Sequence, residues 1–115
     1  MFAAPLKSNN NDAAITTVFG KAKWFGIYNL ADNSMKVIPH TEQGAAIIGK
    51  LKEEGVTVIL TKHLGPRPLQ IVHEMGMKLF YPGDERMTLT QAVANFQSGS
   101  LEEITMNNID KFHNH

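Results

Sequence analysis

The sequence has no cysteine, no excess charge of either sign and no long apolar run. Without cysteine there is no disulfide framework and no thiolate metal site, so a metal or cluster needs histidine, carboxylate, amide or backbone ligands. The 11 basic residues balance the 11 acidic ones, which disfavours nucleic-acid and anionic-membrane partners, because both require a net basic face. No stretch approaches the ~20 apolar residues of a membrane span, and residues 1–7 do not resemble a secretory signal.

These absences predict a soluble, cytoplasmic protein. A chain of 115 residues with this apolar content has room for one hydrophobic core. We place a single α/β domain over residues 1–104. Residues 105–115 are polar and rich in asparagine, so we expect a flexible C-terminal tail.

Apolar runs and turn residues predict a mixed five-stranded sheet with helices on its faces. The predicted strands are Phe2–Leu6, Trp24–Leu30, Met35–Pro39, Val56–Leu60 and Met77–Tyr81. The predicted helices run from about Glu42 to Glu54, from Pro66 to a left-handed cap at Gly76, and from a capping box at Thr88–Gln91 to Ser98.

The strand–helix–strand unit that spans residues 56–81 is expected to be parallel and right-handed. If the first, fourth and fifth strands are parallel, the connections 7–23, 61–66 and 82–87 meet at one edge of the sheet. Ligands of open α/β sheets bind at the carboxyl ends of parallel strands. We therefore expect the functional site at this edge, with residues 7–18 acting as a flap.

Lys62 and His63 lie one and two residues beyond Thr61, the first residue of the connection 61–66 that follows the predicted fourth strand. A neutral imidazole is the commonest protein ligand of metals, and a lysine with a helix N-terminus favours an anion. Pro66 and Pro68 weaken that second effect, because each removes an N–H donor. The alternative is a surface histidine that caps a neighbouring carbonyl.

Other polar residues near this edge have two interpretations each. His40 follows Pro39 and is either a second metal ligand or an exposed turn residue. Lys21, with Lys62 and Arg67, forms either a cationic rim or a set of solvated side chains.

Catalytic patterns are scarce. The sequence has no phosphate-binding loop, no dinucleotide fingerprint and no nucleophile elbow. The predicted strands at the edge hold no carboxylates for a two-metal nuclease.

Four segments carry a family resemblance: 18–28 (VFGKAKWFGIY), 53–60 (EEGVTVIL), 64–69 (LGPRPL) and 90–101. In their order and spacing they resemble the dinitrogenase iron–molybdenum cofactor biosynthesis family, from about Phe2 to Ile104. The resemblance implies a three-layer, ribonuclease-H-like fold without nuclease or other enzymatic activity. It also implies binding or carriage of an iron–sulfur or iron–molybdenum cluster in nitrogen fixation, with a protein that accepts the cluster.

Two positions depart from the family pattern. Members often have His-Phe-Gly where this chain has Val18-Phe19-Gly20, and a Gly-Gly-Ile-Gly-Pro turn where it has Lys62-His63-Leu64-Gly65-Pro66. Our hypothesis is that His63 replaces the missing imidazole, with the alternative that cluster binding has been lost. The rival function is a regulatory or interaction domain that binds a protein or small anion at the same edge without metal.

Overall fold

A computed structural model describes residues 1–17, 19, 22–40, 45–83 and 85–111 of the chain. They form a mixed sheet with the strand order β3-β2-β1-β4-β5-β6. The strands are β1 (Phe2–Leu6), β2 (Trp24–Asn29), β3 (Ser34–Pro39), β4 (Val58–Leu60), β5 (Lys78–Tyr81) and β6 (Glu102–Ile104). The helices are α1 (Ala45–Glu53), α2 (Pro66–Glu74), α3 (Leu89–Gln97) and a 3-10 turn at Ile109–Lys111.

The centre of the sheet is parallel, as the sequence predicts. Strand β4 pairs in parallel with β1 and with β5, so that Ile59 lies opposite both Ala3 and Leu79. The β2–β3 hairpin is antiparallel and joins the sheet through β1. The carboxyl ends of β1, β4 and β5 therefore share one edge with the start of β2 and the end of β3, and we call this the carboxyl edge.

Helices cover both faces of the sheet, which confirms the predicted layering. Side chains alternate along a strand, so Ala3 joins a buried cluster with residues of α1 and α2, such as Leu51 and Leu69. Its neighbours Phe2 and Ala4 join a second cluster on the opposite face, beneath α3.

The prediction of five strands is wrong, because β6 adds a sixth. Its three residues pair antiparallel with β5, and Tyr81 lies opposite Glu102. A strand of this length that begins with two glutamates has no hydrophobic periodicity to reveal it. Its pairing depends on the neighbouring strand, which sequence patterns do not show.

The described residues after β6 are hydrogen-bonded to the end of β6 and packed against the domain. The Asn108 side chain accepts a hydrogen bond from Thr105 N at 2.7 Å and donates one to Glu103 O at 2.8 Å. Ile109 is only 6% exposed and packs into the cluster beneath α1 and α2. The domain boundary at 104 and the flexibility of the tail stay predictions, and residues 112–115 lie outside the described ranges.

Local chemistry sets the ends of the helices. Gly76 follows α2 with φ of 78°, in the left-handed region that glycine adopts without steric cost. The side chains of Thr88 and Gln91 form the predicted capping box of α3. Helix α1 begins at Ala45, while residues 42–44 of its predicted first turn lie outside the described ranges. Among the described helices, none combines the length and apolar character needed to cross a bilayer.

Candidate functional site

Three loops meet at the carboxyl edge and are hydrogen-bonded to one another. We call residues 7–23 the first loop, 61–65 the second and 82–88 the third. The first and third loops join through Ile15 N, which donates to Met87 O at 2.8 Å, and through a bridge between Ala14 and Thr88. The predicted convergence of these loops is confirmed.

The first loop has an exposed tip and a packed base. Residues 7–12 are exposed, whereas Ala13, Ala14 and Ile15 are buried against β1 and α3. Lys7 N donates to Ala14 O at 2.9 Å and closes the tip into a turn. The flap function stays a prediction, and the burial of the base limits it to the tip.

His63 lies in the second loop, with its backbone held by the first. His63 N donates to Thr17 O at 3.0 Å, and Phe19 N donates to His63 O at 3.0 Å. The His63 residue is half-buried. Thr17 and Phe19 are the chain neighbours of Val18, which lies outside the described residues, as does Lys21. Both backbone groups of His63 are thus satisfied by one short segment.

The residues before His63 are buried more deeply. Lys62 is 8% exposed, and its Nζ donates to Glu85 O in the third loop at 3.1 Å. Thr61 is fully buried, and its Oγ1 has no hydrogen-bond partner among the residues that the structure describes. The sequence predicted Lys62 as a contact for an anionic ligand, and the structure adds a bond to the protein that no sequence pattern indicated.

His40 lies at the end of β3, on the same edge. Its Nδ1 is 2.6 Å from Ala22 O, so Nδ1 carries a proton and donates it to that carbonyl. The ring packs edge-on against Phe25, with centroids 5.0 Å apart. Nε2 is buried without a hydrogen-bond partner in the described part of the chain, so His40 is packed rather than an exposed turn residue.

His40 and His63 contact the two ends of one segment. Phe19 N binds His63 O, Ala22 N donates to Phe19 O at 3.3 Å, and Ala22 O accepts from His40. Gly20 and Lys21, between these contacts, are not described. The fold thus brings both predicted histidines to the same part of the first loop.

Exposed cations border the site. Arg67 is exposed at the second position of α2, whose N-cap Gly65 provides no side-chain hydrogen bond. Arg86 is exposed in the third loop, and the sequence reasoning missed it. Arg86 could have been found from the sequence, because it lies in the connection 82–87, which was predicted to reach this edge.

The donor set limits the kind of metal that the edge can hold. Within the described residues there is no group of three or more His, Cys, Asp or Glu side chains that could surround an ion. A structural zinc ion takes four protein ligands, and a catalytic one takes three. Such a site is therefore not built from this part of the chain.

A family model for the dinitrogenase iron-molybdenum cofactor matches residues 1–99. The chain belongs to this family. The resemblance that the sequence segments indicated is thereby confirmed, and membership associates the protein with a cofactor-related role.

Solved structures share the fold. A NifB-like protein from Thermotoga is 23% identical with a TM-score of 0.78, covering 91% of this chain and 93% of its own. The apo form of the orange protein from Desulfovibrio gigas is 22% identical with a TM-score of 0.79, and the coverage is 90% and 92%. A protein described as a dinitrogenase from Methanocaldococcus jannaschii is 19% identical with a TM-score of 0.68, and the coverage is 90% and 94%. No curated protein matches the chain.

Proposed function

We propose that this family member is a non-enzymatic carrier that binds an anionic iron–sulfur or iron–molybdenum cluster at the carboxyl edge. The observation that carries the proposal is the double hydrogen bond between the His63 backbone and the first loop, which fixes an imidazole-bearing residue where three loops meet. The cluster is cargo, handed to a protein acceptor in the cytoplasm as part of nitrogen-fixation cofactor chemistry.

The available donors suit cargo that brings most of its own ligands. A cluster that carries inorganic sulfide and exogenous terminal ligands requires only one or two groups from the protein. A single ion, or an iron–sulfur cluster held entirely by the protein, requires a larger set of side chains, which the described residues do not contain. His63 is the proposed imidazole ligand. His40 is a second candidate, because its Nδ1 bond to Ala22 O leaves the Nε2 lone pair available, as in metal-binding histidines. Nε2 is buried, so this role requires the ring to become exposed.

Charge compensation supports an anionic cargo. Arg67 lies in the first turn of α2 and is exposed, so its guanidinium and the helix dipole both favour an anion there. Lys21 is the other cation of the proposed cofactor-binding set, and we add the exposed Arg86. Lys62, which the sequence placed in the same set, is buried and hydrogen-bonded to the third loop, so its proposed effect on the cargo is indirect.

We also propose that the fold is ribonuclease-H-like, as the family resemblance implies. The parallel centre of the sheet, the antiparallel hairpin at one side and the helices on both faces support this classification. The rival function is an interaction domain that uses the same edge without metal. Cluster reconstitution distinguishes the two functions.

The test is anaerobic reconstitution with a synthetic iron–sulfur cluster or isolated iron–molybdenum cofactor, followed by gel filtration. Visible absorption and metal analysis measure the bound cluster. We expect stoichiometric binding by the wild type and at least a tenfold weaker affinity for His63→Ala. His63→Cys should retain binding, because a thiolate is also a ligand for iron–sulfur clusters.

His73→Ala is the matched control. His73 lies in the last turn of α2, at the end remote from the carboxyl edge, and its removal should leave binding unchanged. Equal binding by wild type and His63→Ala would exclude the His63 ligand. A wild-type protein that takes up neither cluster would overturn the carrier function and favour the interaction domain.

A further inference from the structure

We propose that Lys62 is a positioning residue whose ammonium braces the third loop against the second and thereby fixes the backbone that presents His63. Its effect on cargo rests on the carrier function proposed above. The brace itself is a property of the protein without cargo and is tested separately.

Lys62 is buried and hydrogen-bonded to the main chain of the third loop. The residue is 8% exposed, and Nζ donates to Glu85 O at 3.1 Å. Burying an ammonium is costly unless hydrogen bonds replace its water. Because the acceptor is a main-chain carbonyl, the bond fixes the path of the third loop whatever side chain stands at position 85. Glu85 itself is exposed.

The bond from Lys62 to Glu85 O closes a ring of hydrogen bonds among the three loops. The first loop holds the second through the backbone of His63, and it holds the third through Ile15 N and Met87 O. Lys62 supplies the remaining link, between the second and third loops. Each loop is thus restrained by both others, and removal of one link weakens the restraint on all three.

The low exposure of Lys62 favours a brace over a direct contact with cargo. A lysine that neutralised bound cargo would present its ammonium to solvent, as Arg67 and Arg86 are exposed to it. Lys62 is nearly inaccessible and directs a donor at the protein. Since His63 follows it directly in the chain, displacement of Lys62 changes the position from which the imidazole is presented.

Hydrogen exchange of the cargo-free protein tests the brace. In Lys62→Met, which keeps a long unbranched chain but removes the donor, the Ile15 amide should exchange about tenfold faster, as expected for loss of a charged hydrogen bond. Amides of the central strand β4 should not change. Lys62→Arg, which keeps a charged donor, should exchange more slowly than Lys62→Met. If Lys62→Met does not fold, Lys62→Leu, which also removes the donor, provides the same comparison.

Lys78→Met controls for the loss of one positive charge, because Lys78 is exposed at the start of β5, away from the carboxyl edge. Unchanged Ile15 exchange in Lys62→Met would overturn the brace, even if cluster binding fell. Faster exchange together with weaker cluster binding, both restored by Lys62→Arg, supports it. If the wild type binds no cluster, the carrier function fails, while the exchange comparison still decides the brace.

Discussion

Replacing Ile109 with alanine tests whether the chain after β6 belongs to the folded core. Ile109 is 6% exposed in the cluster beneath α1 and α2. Truncation of a buried isoleucine to alanine costs about 2–5 kcal/mol. Ile109 keeps some solvent exposure, unlike the fully buried members of this cluster, so we expect the lower part of this range, about 2–3 kcal/mol. For 115 residues, an unfolding entropy of about 0.24 kcal/mol/K converts this into a Tm decrease of about 8–12 °C.

Thermal and urea unfolding followed by circular dichroism measure this change. Met106→Ala is the matched control in the same segment, because Met106 is 55% exposed and its truncation should cost less than about 0.5 kcal/mol. Equal stability of the two variants would refute the reasoning. The segment would then be the flexible tail that its composition predicts.

Three further predictions concern local features of the fold. Thr88→Ala removes the N-cap of α3 and should cost about 1 kcal/mol in urea unfolding, whereas Thr88→Ser should not; equal losses would contradict the cap. A Cβ on Gly26 would come within 2.8 Å of a β1 side chain, so Gly26→Ala should cost about 1–3 kcal/mol. Gly49→Ala is its control, because a Cβ has space at that position of α1 and alanine should raise the free energy of unfolding by about 1 kcal/mol. If both substitutions changed the free energy of unfolding in the same direction, the packing argument would be contradicted. The pKa of Asp32 lies below its ordinary value of 3.8, mainly because of a hydrogen bond from the Ser34 hydroxyl and secondly because of one from the Ser34 amide. NMR titration of Ser34→Ala should show a higher Asp32 pKa, and an unchanged pKa would exclude the hydroxyl as the main cause. The Asp32 contribution to stability is present above pH 3.8 and is lost as the pH falls through the folded-state pKa.

Much of the fold could be predicted because its signals are local. The capping box at Thr88 and the left-handed Gly76 depend on residues within a few positions. The parallel pairing of β4 and β5 follows from a short connection through a helix. Strand β6 could not be predicted, because a three-residue strand contains no period, and its pairing with β5 is set by contacts distant in sequence.

The candidate site was predictable in its location but not in its contacts. Strand order alone brings the three loops to one edge, since parallel strands end on the same side. The bond from Lys62 to Glu85 joins residues 23 positions apart, and His40 reaches Ala22 across 18. Neither has a sequence signature, so a lysine predicted as a ligand contact lies against the protein, and a histidine considered an exposed turn residue is packed on Phe25.

The pairing of the first and second loops also bears on the departure at Val18. The family resemblance places an imidazole at that position, and the two chain neighbours of Val18, Thr17 and Phe19, bind the two sides of the His63 backbone. A histidine at 63 therefore lies on a loop directly hydrogen-bonded to the segment that lacks one. In the proposed substitution, the imidazole is carried by the second loop instead of the first. For this reason we favour substitution of the ligand over loss of cluster binding.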